Sequence, residues 1–300
     1  MLGWRLVMSA ILIPSIIGLF WLDHRIGAAA PVLLVFCSLV ALRNAWELCD
    51  LLTVRNLHPS FPATAVASLL LVLAGWMHRV AGNPADGAIV LVSLGWLGAT
   101  LILIYCAFLM MEAARYREAG RSMESLGVNL LIVFYAGALI AATAQLRWFP
   151  NPATGYFVIA SVVICVKCGD TFAYTFGRLW GRKKLAPHLS PGKTRMGLVG
   201  AIFGSTLGGT LWLTFAGGLF AANPQPGSLW VTLLYSASFG LIGLVGDLVE
   251  SLIKRDTGKK DSAALMPGFG GLLDLVDSPL FAGPFALLWW HLLPPAVLPV

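Results

Sequence analysis

Long apolar runs separated by short polar stretches set the pattern of this chain. Nine such runs stand out, at about 4–22, 29–46, 61–78, 88–111, 127–146, 154–177, 197–220, 228–252 and 275–294. A helix needs about 20 mostly apolar residues to cross the hydrocarbon of a bilayer. None of the runs alternates apolar and polar residues with a period of two, so barrel strands are excluded. Helices then satisfy the backbone in lipid. The pattern predicts an all-α polytopic integral membrane protein with about nine transmembrane helices.

Composition agrees with this. The chain is 58% hydrophobic and 11% charged, with a mean hydropathy of +0.82; a soluble domain carries about 25% charged residues. The start of the chain has Arg5, an apolar run and then Ala28–Ala30, an order that resembles a secretory leader. The run is long and Asp23, His24 and Arg25 intervene, so it is read as an uncleaved first helix. With the N-terminus cytoplasmic, 16 of the 20 Lys and Arg fall on the inner side, as the positive-inside rule requires. That places both densely basic loops, Arg178–Arg195 and Lys254–Lys260, where nucleotides are found. The expected location is the bacterial inner (cell) membrane.

The N-terminal third carries little chemistry. Arg43, Glu47, Asp50 and Arg55 read as a solvated helix end and loop, and residues 112–126 as a charged surface helix. Trp4, Trp21, Trp76 and Trp96 lie near the ends of runs and read as interfacial anchors. Division at this polar segment gives an N-terminal set of helices, 1–126, and a C-terminal catalytic transmembrane domain, 127–300.

Polar content rises after residue 150. Lys167, Asp170 and Tyr174 share a helical face inside a predicted span, and Lys167 and Asp170 are spaced to neutralise each other. Ionisable groups in a span usually face a polar cavity. Next comes a basic loop that contains Ser190-Pro191-Gly192-Lys193-Thr194. Gly exposes backbone N–H groups, Lys supplies a point charge and the hydroxyls add donors, a combination suited to phosphate. The spacing is not that of a P-loop, because Pro187 stands at the first glycine position. Gly200, Gly204 and Gly208 then make a small-residue stripe, with a homodimer through it as one expectation.

The densest chemistry lies at 251–278, where Lys254, Arg255, Lys259 and Lys260 are mixed with Asp256, Asp261, Asp274 and Asp277 around a Pro267–Gly271 turn. Charge near mid-membrane costs roughly 2.5–3.5 kcal/mol per residue, so such a cluster marks a site. Asp247, Ser251 and Lys254 share one face of the preceding helix. Asp247, Asp261, Asp274 and Asp277 offer hard oxygen ligands for Mg²⁺, with or without a second cation. Beside the bases they suit phosphoryl or nucleotidyl transfer. Acids at a helix start also favour the dipole, so Asp274 or Asp277 could be a structural cap. His24, His58, His78, His188 and His291 form no cluster, and Cys165 and Cys168 have no second pair, so nothing points to zinc.

The run of Ser251, Ile253, Lys254, Arg255, Lys260, Asp261, Pro267, Gly268, Gly270, Gly271, Asp274 and Asp277 resembles the C-terminal signature of the phosphatidate cytidylyltransferases. Asp170, Ala173, Tyr174, Gly177 and Arg178, the Ser190–Thr194 block, and Gly246, Asp247, Leu248, Glu250 and Ser251 resemble further blocks of that family. Phe269, Leu275 and Met196 depart from the pattern, standing where His, Arg and Glu are common.

The resemblance implies transfer from CTP to phosphatidate, giving CDP-diacylglycerol and pyrophosphate, with the acyl chains kept in the bilayer. It implies Mg²⁺ on Asp247 and Asp274, with Asp261 and Asp277 as further ligands or orienters of bases, and a phosphate clamp of Lys193, Lys254, Arg255 and Lys260. Asp170, Tyr174, Arg178, Ser190, Thr194, Ser251, Gly270 and Gly271 are the expected substrate-binding positions. No nucleic-acid partner is expected. A CTP-dependent kinase of a lipid alcohol, an inactive paralogue and a transporter remain as alternatives.

Overall fold

The computed structural model describes residues 2–55, 57–79, 88–117, 119–220, 222–266 and 270–298. Its architecture is helical, as the apolar runs predict. In order come α1 (Leu2–Ile26), α2 (Pro31–Thr53), α3 (Phe61–Ala74) and α4 (Ile89–Arg115). A composite stretch follows, made of α5 (Ser122–Val133), a π turn at Phe134–Ala138, α6 (Leu139–Ala144) and a 3-10 turn at Gln145–Trp148. Then come α7 (Gly155–Trp180), α8 (Arg195–Phe215), α9 (Leu229–Asp256) and α10 (Leu273–Leu292). Sheet is confined to two antiparallel pairs, β1 (Lys184–Ala186) with β2 (Ser190–Thr194) and β3 (Gln225–Pro226) with β4 (Ala296–Val297).

Among the described residues seven helical stretches are long and apolar enough to cross a membrane: Val7–Ile26, Pro31–Thr53, Ile89–Arg115, Ser122–Trp148, Gly155–Trp180, Arg195–Phe215 and Leu229–Asp256. The chain is a multi-pass integral membrane protein. Two of the nine expected spans differ from these seven. α3 has only 14 residues, and α10 carries Asp274, Asp277, Pro279 and Pro284 within its 20.

The chain forms two compact units, Met1–Gln145 with Asp256–Leu275 and Leu146–Arg255 with Val276–Val300. In the first, Ala67, Leu71 and Ala74 of α3 pack with Leu97, Ile104 and Phe108 of α4 and with Leu126 and Val133 of α5. Gly137 lies in the π turn, where a Cβ would come within 2.8 Å of the Ser68 Cα, so the close approach to α3 needs a residue without a side chain. Asp23, fully buried at the end of α1, accepts from the N–H groups of Val32 (2.9 Å) and Leu33 (3.0 Å) and thereby caps α2.

Three expectations for this part of the chain need correction. Residues 112–126 are not a separate surface helix: α4 runs on to Arg115 and α5 starts at Ser122. Trp76 is buried, and its Nε1 donates to the Ala29 carbonyl at 3.0 Å, so it is a packing residue and not an interfacial anchor. The group at 43–55 is not simply a solvated loop, because Arg43, Glu47 and Asp50 lie on α2 and Glu47 is completely buried.

The second unit is organised by glycine. A Cβ on Gly204 would meet the Phe172 Cβ at 2.5 Å and the Cys168 carbonyl at 2.6 Å, and one on Gly208 would meet the Cys168 Sγ at 2.6 Å. The small-residue stripe of α8 is therefore used against α7 of the same chain. Tyr235 of α9 is fully buried and joins Ser161 Oγ of α7 at 2.7 Å to Trp290 Nε1 of α10 at 3.2 Å. The basic loop is the β1–β2 hairpin, with Lys184 opposite Thr194 and Ala186 opposite Ser190. It leads directly into α8.

Candidate active site

The second unit gathers charge from four elements. α7 supplies Lys167 and Asp170, whose Nζ and Oδ2 are 3.3 Å apart, the neutralising pair that the spacing predicts. β2 supplies Lys193, α9 supplies Asp247, and α10 supplies Asp277 and Ser278. Lys193 Nζ lies 3.1 Å from Asp247 Oδ2 and donates to the Leu244 carbonyl at 3.3 Å. Ser278 Oγ is 2.5 Å from Asp247 Oδ1 and 3.3 Å from Asp277 Oδ1. Its single proton can serve one carboxylate at a time, so the hydroxyl acts as a hinge between two acids. Asp170 and Asp247 also feel each other's charge, as do Asp247 and Asp277.

Local sequence explains this convergence. A Cβ on Gly246 would lie 3.0 Å from the Phe281 Cβ and 3.1 Å from the Ser278 Cα. The glycine lets α9 approach α10 closely enough for the next residue, Asp247, to reach Ser278. Lys193 sits at the penultimate position of a strand that ends in a helix cap: Thr194 Oγ1 accepts from the Gly197 N–H at 3.0 Å. Thr194 is buried, so its hydroxyl is committed to starting α8. Side-chain exposures of 19% for Lys193 and 31% for Asp247 leave the pair reachable while removing much of its water.

Other predicted residues fall around this cluster. Lys254 is engaged by Glu250, with Nζ and Oε2 2.6 Å apart and both side chains largely buried. Arg178 donates to the Tyr174 hydroxyl at 3.2 Å on an exposed part of α7. Ser190 and Ser251 are half-buried, and Arg255 is exposed. Met196 is half-buried in the first turn of α8.

The first unit holds the rest of the charged stretch. Asp274 Oδ2 accepts from the N–H groups of Ser262 (3.0 Å) and Gly271 (2.7 Å), and Ser262 Oγ lies 2.9 Å from it. This is the capping role that its position at the start of α10 allowed. Glu47 completes the arrangement. Its Oε1 accepts from the Leu272 N–H (2.9 Å), and its Oε2 from the Leu273 N–H (3.0 Å) and Ser262 Oγ (2.7 Å). Arg43 Nε, one helical turn back, is 2.8 Å from Oε1. A Cβ on Gly271 would collide with both Glu47 and Ser262, and Gly270 has φ +93°, in the region that favours glycine. Lys260 and Asp261 are exposed and Leu275 is half-buried. Pro267, Gly268 and Phe269 lie outside the described residues.

The structure thus joins Asp247 to Asp277, and joins Asp274 to Ser262 and Gly271. Sequence reasoning gave no site role to Glu47, Ser262 or Ser278, and had Glu250 only as part of a family block. For Glu47 a signal was present: an acid between the apolar residues Ala45, Trp46, Leu48 and Cys49 at the end of the run 29–46, where a charge needs a buried partner.

Residues 4–293 match a family model described as the cytidylyltransferase family. The chain is similar to the phosphatidate cytidylyltransferase of Pseudomonas aeruginosa, 31% identical over 296 residues that cover 96% of this chain and 97% of that protein. It is also similar to the phosphatidate cytidylyltransferase of Haemophilus influenzae, 30% identical over 258 residues covering 82% and 85%. That of Synechocystis is 28% identical over 308 residues covering 98% of each chain.

Proposed function

The chain belongs to the cytidylyltransferase family, and we propose on that premise that it transfers the cytidylyl group of CTP to phosphatidate, forming CDP-diacylglycerol and pyrophosphate. The observation that carries this reading to particular atoms is the Lys193–Asp247 pair joined through Ser278 to Asp277. A phosphate oxygen of the lipid attacks the α-phosphorus of CTP in line. The bond from that phosphorus to the bridging oxygen breaks as the new one forms, and pyrophosphate leaves. The nucleophile is already ionised near neutral pH, which accounts for a site with no placed histidine.

Lys193 is the phosphate clamp. Its ammonium is half-buried and held from two sides, so it offers a fixed point charge to a phosphoryl oxygen at little further ordering cost. Lys254, Arg255 and Lys260 are further candidates for the triphosphate and lipid phosphate. In the second unit the cluster has three carboxylates, Asp170, Asp247 and Asp277, against two ammonium groups, Lys167 and Lys193. An excess of negative charge where a triphosphate must also bind calls for a cation.

Among the described residues no three His, Cys, Asp or Glu side chains group closely enough to cage a metal by themselves. Mg²⁺ is usually held by one or two carboxylates together with substrate phosphates and water. Asp247 and Asp277 fit that mode, and Ser278 orients both. When bound there, the ion would neutralise charge on the phosphates during displacement. Asp274 is better suited to shaping the loop, since one of its oxygens already receives donors from Ser262 and Gly271.

The kinase, transporter and inactive-paralogue alternatives gain no observation of their own. We place the protein in the bacterial inner membrane with its N-terminus cytoplasmic, on the distribution of Lys and Arg when α3 and α10 are counted as crossings. A homodimer would have to use a face other than the α8 glycine stripe, which α7 occupies.

The test is a product assay on the full chain in mixed micelles with Mg²⁺, phosphatidate and CTP labelled at the α-phosphate. Label is expected in the lipid fraction with wild type and not with Asp247→Asn. Wild-type protein that leaves all label water-soluble overturns the reading.

A further inference from the structure

The N-terminal helices of this chain are the part to which sequence motifs assign no chemistry, yet α2 makes three ties to the charged stretch in the first unit. Glu47 binds Ser262, Leu272 and Leu273; Asp50 Oδ2 lies 3.4 Å from Lys259 Nζ; and Arg55 Nη2 lies 3.4 Å from Asp256 Oδ1. Two of the ties are exposed pairs of small energetic weight. The first is different. Glu47 has no solvent exposure, and a buried carboxylate is tolerated only where donors surround it. Here two backbone N–H groups, one hydroxyl and the Arg43 guanidinium do so. All the oxygen capacity of Glu47 is spent on donors, so it is no cation site. What it does is fix the end of the loop at the start of α10. Asp274 fixes the same loop from its other side, through Ser262 and Gly271.

We propose that Glu47 is a positioning residue for the transfer reaction: it ties Ser262 to the Leu272–Leu273 backbone, and so holds the neighbouring exposed Lys260 and Asp261 in one arrangement. This rests on the activity proposed above. The segment 256–273 lies between two helices, and among its described residues Met266 and Gly270 form an isolated bridge. Gly271 then has a specific reason to be glycine, because any side chain would displace the Glu47 carboxylate. Arg43 is in turn held over the Trp46 ring, 4.3 Å from its centroid, which keeps the guanidinium beside Glu47.

The test uses the full chain in detergent micelles, with Glu47→Gln as the main variant and Ser262→Ala as a milder one. Gln keeps the volume but replaces one acceptor oxygen by a donor, facing a backbone N–H or the Arg43 guanidinium. Loss of partners that orient functional groups typically lowers activity about 10–100-fold. The proposal expects such a fall in kcat when the rate is measured well below the thermal midpoint, which itself drops because buried donors lose an acceptor. Amide hydrogen exchange should speed up in 256–273 and stay unchanged in α3–α5. The loss should also largely vanish when Glu47→Gln is placed in an Asp261→Asn background, because both changes spoil the same loop. Ser262→Ala should act in the same direction but more weakly, and it decides the matter if Glu47→Gln does not fold. Full kcat with unchanged exchange in 256–273, or a loss that simply multiplies with that of Asp261→Asn, overturns the proposal. If wild type transfers no cytidylyl group, the proposed activity fails and the exchange arm alone decides the anchor: faster exchange in Glu47→Gln supports it, and unchanged exchange overturns it.

Discussion

Lys193 and Asp247 are 54 positions apart in the chain, one on a hairpin strand and the other deep in a helix, yet their charged atoms lie 3.1 Å from each other. The Leu244 carbonyl, on the same turn of α9, accepts from the same ammonium at 3.3 Å. A lysine held at two points is placed, not merely attracted. The first prediction follows from that. Lys193→Gln should lower kcat/KM for CTP by about a hundredfold, the scale on which losing one preorganised charge-stabilising donor acts. Lys193→Arg should recover only part of the loss, because a planar guanidinium cannot reproduce a compact point charge in the same space. Steady-state kinetics at saturating lipid would check both; wild-type kinetics in Lys193→Gln would remove the clamp from the account.

Ser278 stands between two acids without being one. Its hydroxyl contacts Asp247 and Asp277, and losing it should loosen both. Ser278→Ala should therefore raise the Mg²⁺ concentration needed for half-maximal activity about 10–100-fold, as orienting partners of ligands commonly do. A Mg²⁺ titration of the rate reads this directly. An unchanged midpoint with lower maximal rate would point to a role for Ser278 other than orienting Mg²⁺ ligands.

Thr194 separates a structural from a substrate-binding reading. Its Oγ1 is occupied by the Gly197 N–H. Thr194→Ala should then lower stability by about 1 kcal/mol, the usual size of a lost N-cap, with KM for CTP almost unchanged. Thermal melting in detergent and a CTP saturation curve would be compared. A large rise in KM at unchanged stability would return the hydroxyl to the substrate.

The glycine stripe makes a packing prediction. Gly204→Leu must push against Phe172 and the Cys168 backbone, and overpacking of this kind costs about 1–3 kcal/mol. The melting temperature should fall while the oligomeric state, read by cross-linking in lipid, stays as in wild type. A variant that melts normally but loses a cross-linked dimer would show the stripe facing a second copy.

Much of this was readable in the sequence, for particular reasons. Apolar runs of membrane length gave the helices, because lipid leaves the backbone no other partner. α3 escaped full agreement since its apolar run continues past Gly75, where the helix gives way to a turn. The Lys167–Asp170 pair follows from helical spacing alone, as does the shared face of Asp247 and Lys254. Which acid meets which could not be read that way. Asp274 and Asp277 are one turn apart on α10, but one caps a loop through Ser262 and the other meets Ser278 and Asp247. Helical spacing says nothing of what lies opposite each residue. Glu47 was hidden for a similar reason: its partners are more than 200 positions away in the chain, and only the fold shows that an acid amid Ala45, Leu48 and Leu51 is satisfied by a distant loop.

The most direct measurement of the central claim follows both ends of CTP in one reaction. Purified full chain, phosphatidate and Mg²⁺ would be supplied with CTP labelled in parallel at the α- and γ-phosphates. The account predicts α-label in the lipid and γ-label in pyrophosphate, in equal amounts, with both signals lost in Asp247→Asn. Label from the γ-position in the lipid, or none from either position, would contradict it.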